Sequence, residues 1–381
     1  MDFSWNEDQL ALREATIRFA QRELKDDLIE RDRRGEFSWE NWRQCAEFGI
    51  QGLPVPEEYG GRGLDILTTI LVMEALGYGC KDNGLIFALN AQLWSVVMPI
   101  LNFGTEAQKQ KYLPRLIRGE IIGMHGVTEP GSGSDAMSLR TTAERRQDTY
   151  VLNGAKTFIT SAPLGDLAVV FATVDRAKKF MGVTAFLVDK GTPGFSVSRD
   201  LEKMGLRTSP MGEVVLENCE IPVENRLGPE GAGVSIFNSS MGWERSCILA
   251  SAIGTMERQL EECIKYVKER KQFGQPIGRF QAVAHKITDM KVRLESARYL
   301  VYRAGWLAKV GKPAILEAAI AKLYLSECFV QSSLDAIQLH GAYGYMTEFE
   351  IERDLRDALG GRIYSGTSEI QKTIIARMLG L

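Results

Sequence analysis

Residues that bind metal ions or form disulfides are scarce in this sequence. Among 381 residues there are three histidines and six cysteines, and no two cysteines stand in a C-x-x-C pair. Zinc sites and disulfide frameworks need closely spaced or paired ligands, so we expect neither, and no bound metal ion. The cysteines are predicted to be free thiols in a reducing compartment. They are Cys45, Cys80, Cys219, Cys247, Cys263 and Cys328.

The sequence also lacks an excess of basic residues and a long apolar run. Its 46 Lys and Arg face 49 Asp and Glu, a formal net charge of −3, so nothing in the composition calls for nucleic acid or an anionic membrane. No unbroken apolar run reaches about 18 residues, the length of a membrane span. The start, MDFSWNEDQL, is acidic and amphipathic where a signal peptide would be basic and then apolar. These features predict a cytoplasmic protein.

The spacing of apolar residues changes twice along the chain, which is long enough for two or three domains. From Asn6 to about Gly119 apolar residues recur at helical spacing, as in DQLALREATIRFAQREL, with a break at LPVPEEYGGRG. From about Ile121 to Leu227 strand-like runs such as DLAVVFATV alternate with turns. Helices return from about Gly231. The pattern predicts a helical block, a compact β domain and a second helical block.

The clearest helix is predicted from Gln281 to Val310. Apolar residues there alternate in steps of four and three, as in a helix that packs against partners over many turns. We interpret this stripe as a core seam of a helical bundle, with a cofactor lining as a secondary use. Its members are Val283, Ile287, Met290, Leu294, Ala297, Val301 and Ala304.

A segment rich in glycine and hydroxyl groups, HGVTEPGSGSD, runs from His125 to Asp135 at the first junction. Gly131 and Gly133 permit a tight backbone, and the hydroxyls and backbone N–H groups suit a polar ligand such as a phosphate or the edge of a flavin ring. The segment is neither a Walker loop nor a G-x-G-x-x-G after a strand. A surface turn has the same composition, so the segment alone leaves both interpretations open.

Motifs along the whole chain resemble the acyl-CoA dehydrogenase family of flavoproteins. The block GVTEPGSGSD matches one family signature in full. QLHGAYGYMTEFEIERDLRD, from Gln338 to Asp357, matches another except that Ala342 stands where Gly or Ser is usual. KTFITSAP, KMGLRTSPMGEVVLENCEIP, ERKQFGQPIGRFQAV and IYSGTSEIQKTIIARMLGL also match, in the family's order. The resemblance therefore extends from end to end.

The resemblance implies an α+β protein with the acyl-CoA dehydrogenase fold. It would have an N-terminal helical domain over 1–120, a middle β-barrel-like domain over 121–230 and a C-terminal four-helix bundle over 231–381. It would assemble as a homo-oligomer, a dimer or tetramer. The implied reaction is α,β-dehydrogenation of an acyl thioester, in which a carboxylate removes the α-proton while FAD takes the β-hydrogen as hydride.

The resemblance also assigns residues to the flavin and the thioester. Thr128 and Ser134 are expected at the isoalloxazine and the thioester, and Phe158 and Thr160 over the ring. Any one of these assignments, taken in isolation, has a plain alternative as a solvated or core residue. The residues expected to reach the ADP part of FAD in a neighbouring subunit are Arg270, Gln272, Phe273, Gln281, Gln338 and Gly341.

The turn RIYSGTSEIQ, residues 362–371, lacks the residue that this chemistry needs. Many family members carry the glutamate base at the position of Ser365, followed by a Gly-Thr pair along the flavin, which implies that Ser365 and Thr367 lie beside the ring. A serine is not a base at neutral pH, and no neighbouring histidine in the sequence would activate it. The chain is therefore either inactive or takes its base from elsewhere.

Glu244, in SMGWERSCILA, is the candidate for that base. A minority of the family, of isovaleryl and long-chain type, carries its glutamate on a bundle helix just before an arginine, and Glu244 and Arg245 stand at that place. Arg245 is expected at the substrate. A carboxylate between Trp243 and an apolar run would be partly desolvated, which raises its pKa. The alternative is a surface glutamate paired with an arginine.

The exchange of Ser365 for Glu244 as base and three further details point within the family: ITSAP in place of I-T-N-G, Gly242 in place of Asp or Asn, and RIYSGTSEIQKTIIARMLGL at the end. They resemble flavoenzymes that oxidise a prolyl thioester on a peptidyl carrier protein in natural-product biosynthesis. Such an enzyme binds phosphopantetheine and passes electrons to oxygen or to an electron-transfer protein. The alternatives are a branched- or long-chain acyl-CoA dehydrogenase, a relative of nitroalkane oxidase or flavin hydroxylase, and a non-catalytic helical scaffold.

Overall fold

The computed structural model describes residues 4–25 and 27–381, so the first three residues of the predicted N-terminal domain, and Asp26, lie outside the described part of the chain. The block that follows is helical. Its first helix begins with a capping box, in which the side chains of Asn6 and Gln9 each accept a hydrogen bond from the other's backbone N–H. The helices are α1 (Glu7–Arg22), α2 (Leu28–Arg34), α3 (Trp39–Phe48), α4 (Ile66–Gly79), α5 (Asn83–Gln92), α6 (Met98–Phe103) and α7 (Glu106–Ile117).

One continuous helical run is long and apolar enough to cross a membrane. It joins α5, a π-helical segment at Leu93–Val97 and α6, and spans Asn83–Phe103. Asn, Gln and Ser interrupt the apolar residues of this run without adding charge, so the sequence shows no unbroken apolar run of that length. The run is almost wholly buried inside the protein. It is therefore a core helix, and apolar on all sides because protein surrounds it.

The middle block folds into a sheet of eight strands in the described residues. The strands are β1 (Gly123–Gly126), β2 (Thr142–Arg146), β3 (Thr149–Thr160), β4 (Leu167–Thr173), β5 (Val183–Asp189), β6 (Phe195–Asp200), β7 (Met211–Pro222) and β8 (Arg226–Leu227). Their order is β6-β7-β3-β2-β4-β5-β8, and β1 pairs with β4 in parallel. Strand residues on one side, including Tyr150 and Phe186, form a separate small core. Residues on the other side, including Phe171, join the main core with the helices.

The C-terminal block is a helical bundle in which α8, α9 and α10 all pack against α11. The helix predicted from Gln281 to Val310 is present and ends one residue earlier. The elements are α8 (Gly233–Cys247), α9 (Ala250–Glu269), the hairpin β9 (Lys271–Gln272) and β10 (Gln275–Pro276), α10 (Gln281–Lys309), α11 (Ile315–His340), α12 (Ala342–Tyr345), α13 (Ile351–Gly360) and α14 (Ser368–Met378). The α+β class agrees with the expectation. The domain limits at 120 and 230 stay a prediction.

The two helical blocks meet where α4 crosses α9 at very short range. A methyl group on Gly77 would lie 1.9 Å from the carbonyl oxygen of Ser251, and one on Gly254 would lie 1.9 Å from that of Glu74. Only glycine fits at such an approach. This close crossing holds the N-terminal helices against the bundle, and the π-helical segment reaches α8.

Candidate active site

Glu244 lies in the second half of α8 on the buried face of the helix. Ile236, Ser240 and Glu244 recur along that face at helical spacing. The Glu244 side chain has little contact with solvent, since the residue is 5% exposed. Its Oε1 accepts a hydrogen bond from the Ser95 hydroxyl and its Oε2 accepts one from the Ser365 hydroxyl. The residue is therefore not a surface carboxylate.

Ser95 reaches Glu244 from the N-terminal block through the π-helical segment. A π-bulge shifts side chains out of their α-helical register, and such bulges recur at functional sites. The neighbouring residue, Trp94, stacks on Trp243 of α8, with ring centroids 5.7 Å apart and planes 3° apart. The stacked rings pack the π-helical segment against α8 next to the carboxylate. The sequence analysis missed Ser95, whose only signal is a lone hydroxyl in the uncharged run LWSVVMP.

The turn from Ser365 to Thr367 forms the opposite wall. Ser365 and Gly366 both have a positive φ, 54° and 88°, and Thr367 then caps α14 by accepting a hydrogen bond from the Ile370 N–H. A serine in the left-handed region is uncommon and needs contacts to hold it there. The Gln371 side chain provides them by donating to the carbonyls of Ser365 and Gly366 at 3.2 and 2.9 Å. The turn is thus both a helix cap and a wall of the site.

Burial raises the pKa of Glu244 above that of an exposed glutamate, and this is the largest effect on the group. The hydroxyls of Ser365 and Ser95 lower the pKa, because they donate to the ionised carboxylate, and the charges of Arg245 and Lys322 lower it further. The net direction is upward. A buried carboxylate that is more basic than usual, yet still hydrogen-bonded as an anion, suits proton abstraction near neutral pH.

Two cations, the half-buried Arg245 and the buried Lys322, lie near enough to this carboxylate to lower its pKa. Burial lowers the pKa of Arg245, and Glu244 opposes that effect. Its Nε atom is buried and has no hydrogen-bond partner among residues 4–25 and 27–381. A buried donor of this kind is a place for a ligand's acceptor atom. The second cation, Lys322 of α11, donates to the Gly366 carbonyl at 2.7 Å. The sequence analysis missed it, although a single charge in AAIAKLYLS was a signal.

The predicted flavin loop after β1 is fixed by a buried ion pair. Glu129 accepts from the Lys156 ammonium at 2.8 Å, and both side chains are buried. Burial lowers the pKa of Lys156 to about 8, and Glu129 opposes this. The Thr157 N–H also donates to the Thr128 carbonyl at 2.9 Å. The loop is therefore pinned to β3, which a free surface turn would not be, and Thr128 lies next to the end of that strand.

A β-bulge turns Phe158 outward beside this loop. The register of β3 on β7 shifts between Lys156 and Ile159. Phe158 has a φ of 57° and is 62% exposed, Thr160 is half-buried, and Ser134 is exposed. An outward aromatic ring next to a fixed loop of hydroxyls and backbone N–H groups suits one face of a flavin ring.

The remaining predicted flavin residues form a separate cluster at the far end of the bundle. Phe273, at the tip of the β9–β10 hairpin, is 92% exposed, and the Arg270 guanidinium lies 5.9 Å from the Tyr343 ring. Gln338 lies roughly 24 Å along α11 from Lys322, at 1.5 Å per residue. Residues that contact the FAD of a neighbouring subunit have to lie away from this subunit's own site, and these residues do. The cluster comprises Arg270, Gln272, Phe273, Gln281, Gln338 and Gly341.

The residues present fit FAD. The unpartnered donor of Arg245 lies beside the carboxylate of Glu244, and the loop around Thr128 and the ring of Phe158 offer hydroxyls and an apolar face. Ser365 is brought to Glu244 directly. Its hydroxyl donates to the carboxylate, a contact that the sequence analysis, which assigned it only to the flavin edge, did not predict.

Three segments of the chain match the sequence models of one family. Residues 6–120 match the acyl-CoA dehydrogenase N-terminal domain, residues 125–219 the middle domain and residues 231–380 the C-terminal domain. Among curated relatives, L-prolyl-[peptidyl-carrier protein] dehydrogenases from Pseudomonas fluorescens and Serratia sp. are 46% and 42% identical. The first alignment covers 91% of each chain, and the second covers 100% of this chain and 99% of the relative.

Solved structures of the same family are also similar to this chain. The prolyl acyl carrier protein oxidase AnaB superposes with a TM-score of 0.98 and 52% identity, over 99% of this chain and 100% of that one. PigA, in a structure with FAD and proline, gives a TM-score of 0.98 and 42% identity over the full length of both chains. Butyryl-CoA dehydrogenase from Megasphaera elsdenii gives 0.96 and 38%, again over both full lengths.

The site geometry predicts that substitutions of Glu244 and Ser365 change the rate of flavin reduction very differently. Glu244→Gln keeps the shape and the hydrogen bonds but accepts no proton, so we expect substrate-driven flavin reduction to slow by about 10² to 10⁴. Ser365→Ala removes one donor to the carboxylate, so the rate should fall by about tenfold or less. Anaerobic stopped-flow absorbance measures both rates, and retained FAD absorbance is the control. A Glu244→Gln protein that bleaches at the wild-type rate would refute the assignment.

Proposed function

The chain belongs to the acyl-CoA dehydrogenase family, and on that basis we propose that it is an FAD-dependent enzyme that oxidises a prolyl thioester held on a carrier protein. The observation that carries this proposal is Glu244, buried and held by two serine hydroxyls, at a site where Ser365 cannot act as base. The prolyl group is the substrate that the printed names of AnaB and of the two curated dehydrogenases state for those proteins.

Glu244 acts as the base in this proposal. Its carboxylate takes the proton from the carbon next to the thioester carbonyl, and burial makes it basic enough to do so near neutral pH. Bound FAD supplies the acceptor for the β-hydrogen, which leaves as hydride. The Arg245 Nε is a buried donor without a partner in the described part of the chain, which supports a role for it in binding a substrate oxygen. Ser95 and Ser365 orient the carboxylate and hold it in its ionised form.

The acyl side of the site is short. Phe87, Ala91 and Ser95 recur every four residues on one face of the buried helical run, and Phe87 and Ala91 are half-buried where most of their neighbours are buried. Phe87 contacts Tyr364, the residue before Ser365, with ring centroids 4.6 Å apart. Both rings line a small cavity of about 30 Å³. We propose that this aromatic pair limits the acyl side of the site two helical turns from Ser95, an arrangement that favours a compact ring over a long chain.

The carrier side of the site is basic. Arg176–Gly182 exposes Lys178, Lys179, Phe180 and Met181. A methyl group on Gly231, just before α8, would lie 2.8 Å from the Met181 carbonyl, so this segment borders the start of the helix. From there α8 extends roughly 16 Å to Glu244. A phosphopantetheine arm carries an anionic phosphodiester that such cations attract. We place the carrier contact at this segment.

Two further parts of the proposal come from the family: the acceptor of electrons is oxygen or an electron-transfer protein, and the enzyme works as a homo-oligomer. A third, the cytoplasmic location, comes from the composition and the start of the sequence. The prominently exposed ring of Phe273 at the hairpin tip is compatible with a contact to another subunit. A branched- or long-chain acyl-CoA dehydrogenase is the alternative substrate class. The scaffold hypothesis leaves the hydrogen-bonded Glu244 without a role.

The donor preference tests the proposal. We expect prolyl-carrier thioester to bleach the flavin anaerobically, and free proline, octanoyl-CoA and isovaleryl-CoA to do so poorly. Added salt should slow the carrier-bound reaction, because it screens the contact with the basic segment, and should leave a prolyl-pantetheine thioester largely unaffected. Fast bleaching by octanoyl-CoA or isovaleryl-CoA would assign the enzyme to ordinary acyl-CoA dehydrogenation instead.

The aromatic pair that limits the acyl side of the site should set the size of the acyl group. Phe87→Ala opens the small cavity that the pair lines, so octanoyl-CoA should gain about tenfold or more relative to the prolyl substrate, because each buried methylene contributes about 1–3 kcal/mol. Phe87→Leu, which still fills most of the space, is the matched control. Melting temperature and FAD content verify folding. An unchanged preference in a folded Phe87→Ala protein would remove Phe87 from the pocket.

A further inference from the structure

Lys322 is a charged residue deep inside the bundle. It lies on α11 and is 1% exposed. Its ammonium donates to the Gly366 carbonyl at 2.7 Å, and the same carbonyl accepts from Gln371 at 2.9 Å. The carbonyl therefore has a donor without Lys322. Burying an ammonium is costly unless a partner compensates for its lost hydration, so the hydrogen bond alone does not account for a lysine at this position.

The charges around Lys322 identify the group on which it acts. Two anions nearby are otherwise occupied or exposed: Glu327 accepts from Arg362 and Ser368 at 2.9 and 2.7 Å, and Glu369 is exposed on α14. Arg245, from α8, is a cation and repels Lys322. The third anion is Glu244, whose described hydrogen bonds come from two neutral hydroxyls. The positive charges of Lys322 and Arg245 both act on it.

The titration of these groups agrees with that arrangement. Burial, and then the charge of Arg245, lower the pKa of Lys322 to about 8, while Glu327, Glu244 and Glu369 raise it. The ammonium therefore stays mainly protonated at neutral pH. In return, its charge lowers the pKa of Glu244 against the larger effect of burial.

We propose that Lys322 is a positioning residue for Glu244: its ammonium holds the Ser365–Gly366 turn so that the serine hydroxyl meets the carboxylate, and its charge favours the ionised carboxylate. This inference rests on the proposed role of Glu244 as the base. It assigns two effects to one side chain, geometry through the turn and electrostatics through space, and the two can be separated by substitution.

Two variants separate them. Lys322→Gln keeps a donor for the Gly366 carbonyl but removes the charge, and Lys322→Arg keeps the charge. The holoprotein is titrated by infrared spectroscopy, in which a protonated carboxyl gives its own C=O band, and the band that Glu244→Gln abolishes belongs to Glu244. Anaerobic flavin reduction by the prolyl-carrier thioester is measured over the same pH range, with FAD content and melting temperature as checks on folding.

We expect the Glu244 band to persist to higher pH in Lys322→Gln than in the wild type. The acid limb of the rate profile should shift the same way by about one pH unit, so that the rate is lost on the acid side and largely recovers at high pH, because a neighbouring opposite charge changes ionisation by about tenfold or more. Lys322→Arg should retain the wild-type profile. An unshifted band and an equal loss at every pH would make Lys322 a purely structural lysine and overturn the inference.

A second measurement keeps the test decisive if the Lys322 variants fail to fold. Coupling between two charges is reciprocal, so removing the anion must alter the cation. In Glu244→Gln, Lys322 should lose its proton at lower pH than in the wild type, as followed by the ¹³Cε signals of labelled lysine. Identical titration in both proteins would overturn the inference. A Glu244→Gln protein that reduces flavin normally would refute the base instead, so the two failures are distinguishable.

Discussion

The structure depends on keeping one carboxylate ionised where water scarcely reaches it. Glu244 is 5% exposed, and an unpaired carboxylate at such a place would become protonated and lose its use as a base. Three parts of the chain oppose this by lowering the pKa of Glu244 against the effect of burial. The π-helical segment contributes Ser95, the turn before α14 contributes Ser365, and the bundle contributes the charges of Lys322 and Arg245. The close crossing of α4 and α9 matters because it holds the N-terminal helices, which include the π-helical segment with Ser95, against the bundle.

The same carboxylate explains why the turn at 362–371 is built as it is. The resemblance to the family implies that many members carry their base where Ser365 stands. In this chain the serine takes the left-handed conformation and donates to Glu244 instead. The position thus belongs to the site as a hydrogen-bond donor to the carboxylate. The turn is held by Gln371 and Lys322, which both donate to the Gly366 carbonyl.

Much of the fold was predictable because its signals are local. The periodicity at Gln281–Val310 predicted α10 to within a residue, and the motif around Thr128 indicated the loop after β1. Ser95, Lys322 and the Glu129–Lys156 pair were not predicted, since each acts on a residue from 27 to 149 positions away. A lone serine, or a lysine inside an apolar helix, shows that something polar must face it, but only the packing of blocks identifies the partner. The buried helical run 83–103 was missed for a related reason, because uncharged polar residues hid its length.

Moving the base tests the central claim most directly. Glu244→Gly removes the carboxylate, and adding Ser365→Glu in the same chain places one where the resemblance implies that many family members have it. If both positions address the same substrate carbon, the double variant should reduce flavin with the prolyl-carrier thioester clearly faster than Glu244→Gly alone, with FAD bound in both. If the folded, FAD-loaded double variant is as inactive as the single one, Ser365 and Glu244 do not share one site of proton removal, and the account is wrong.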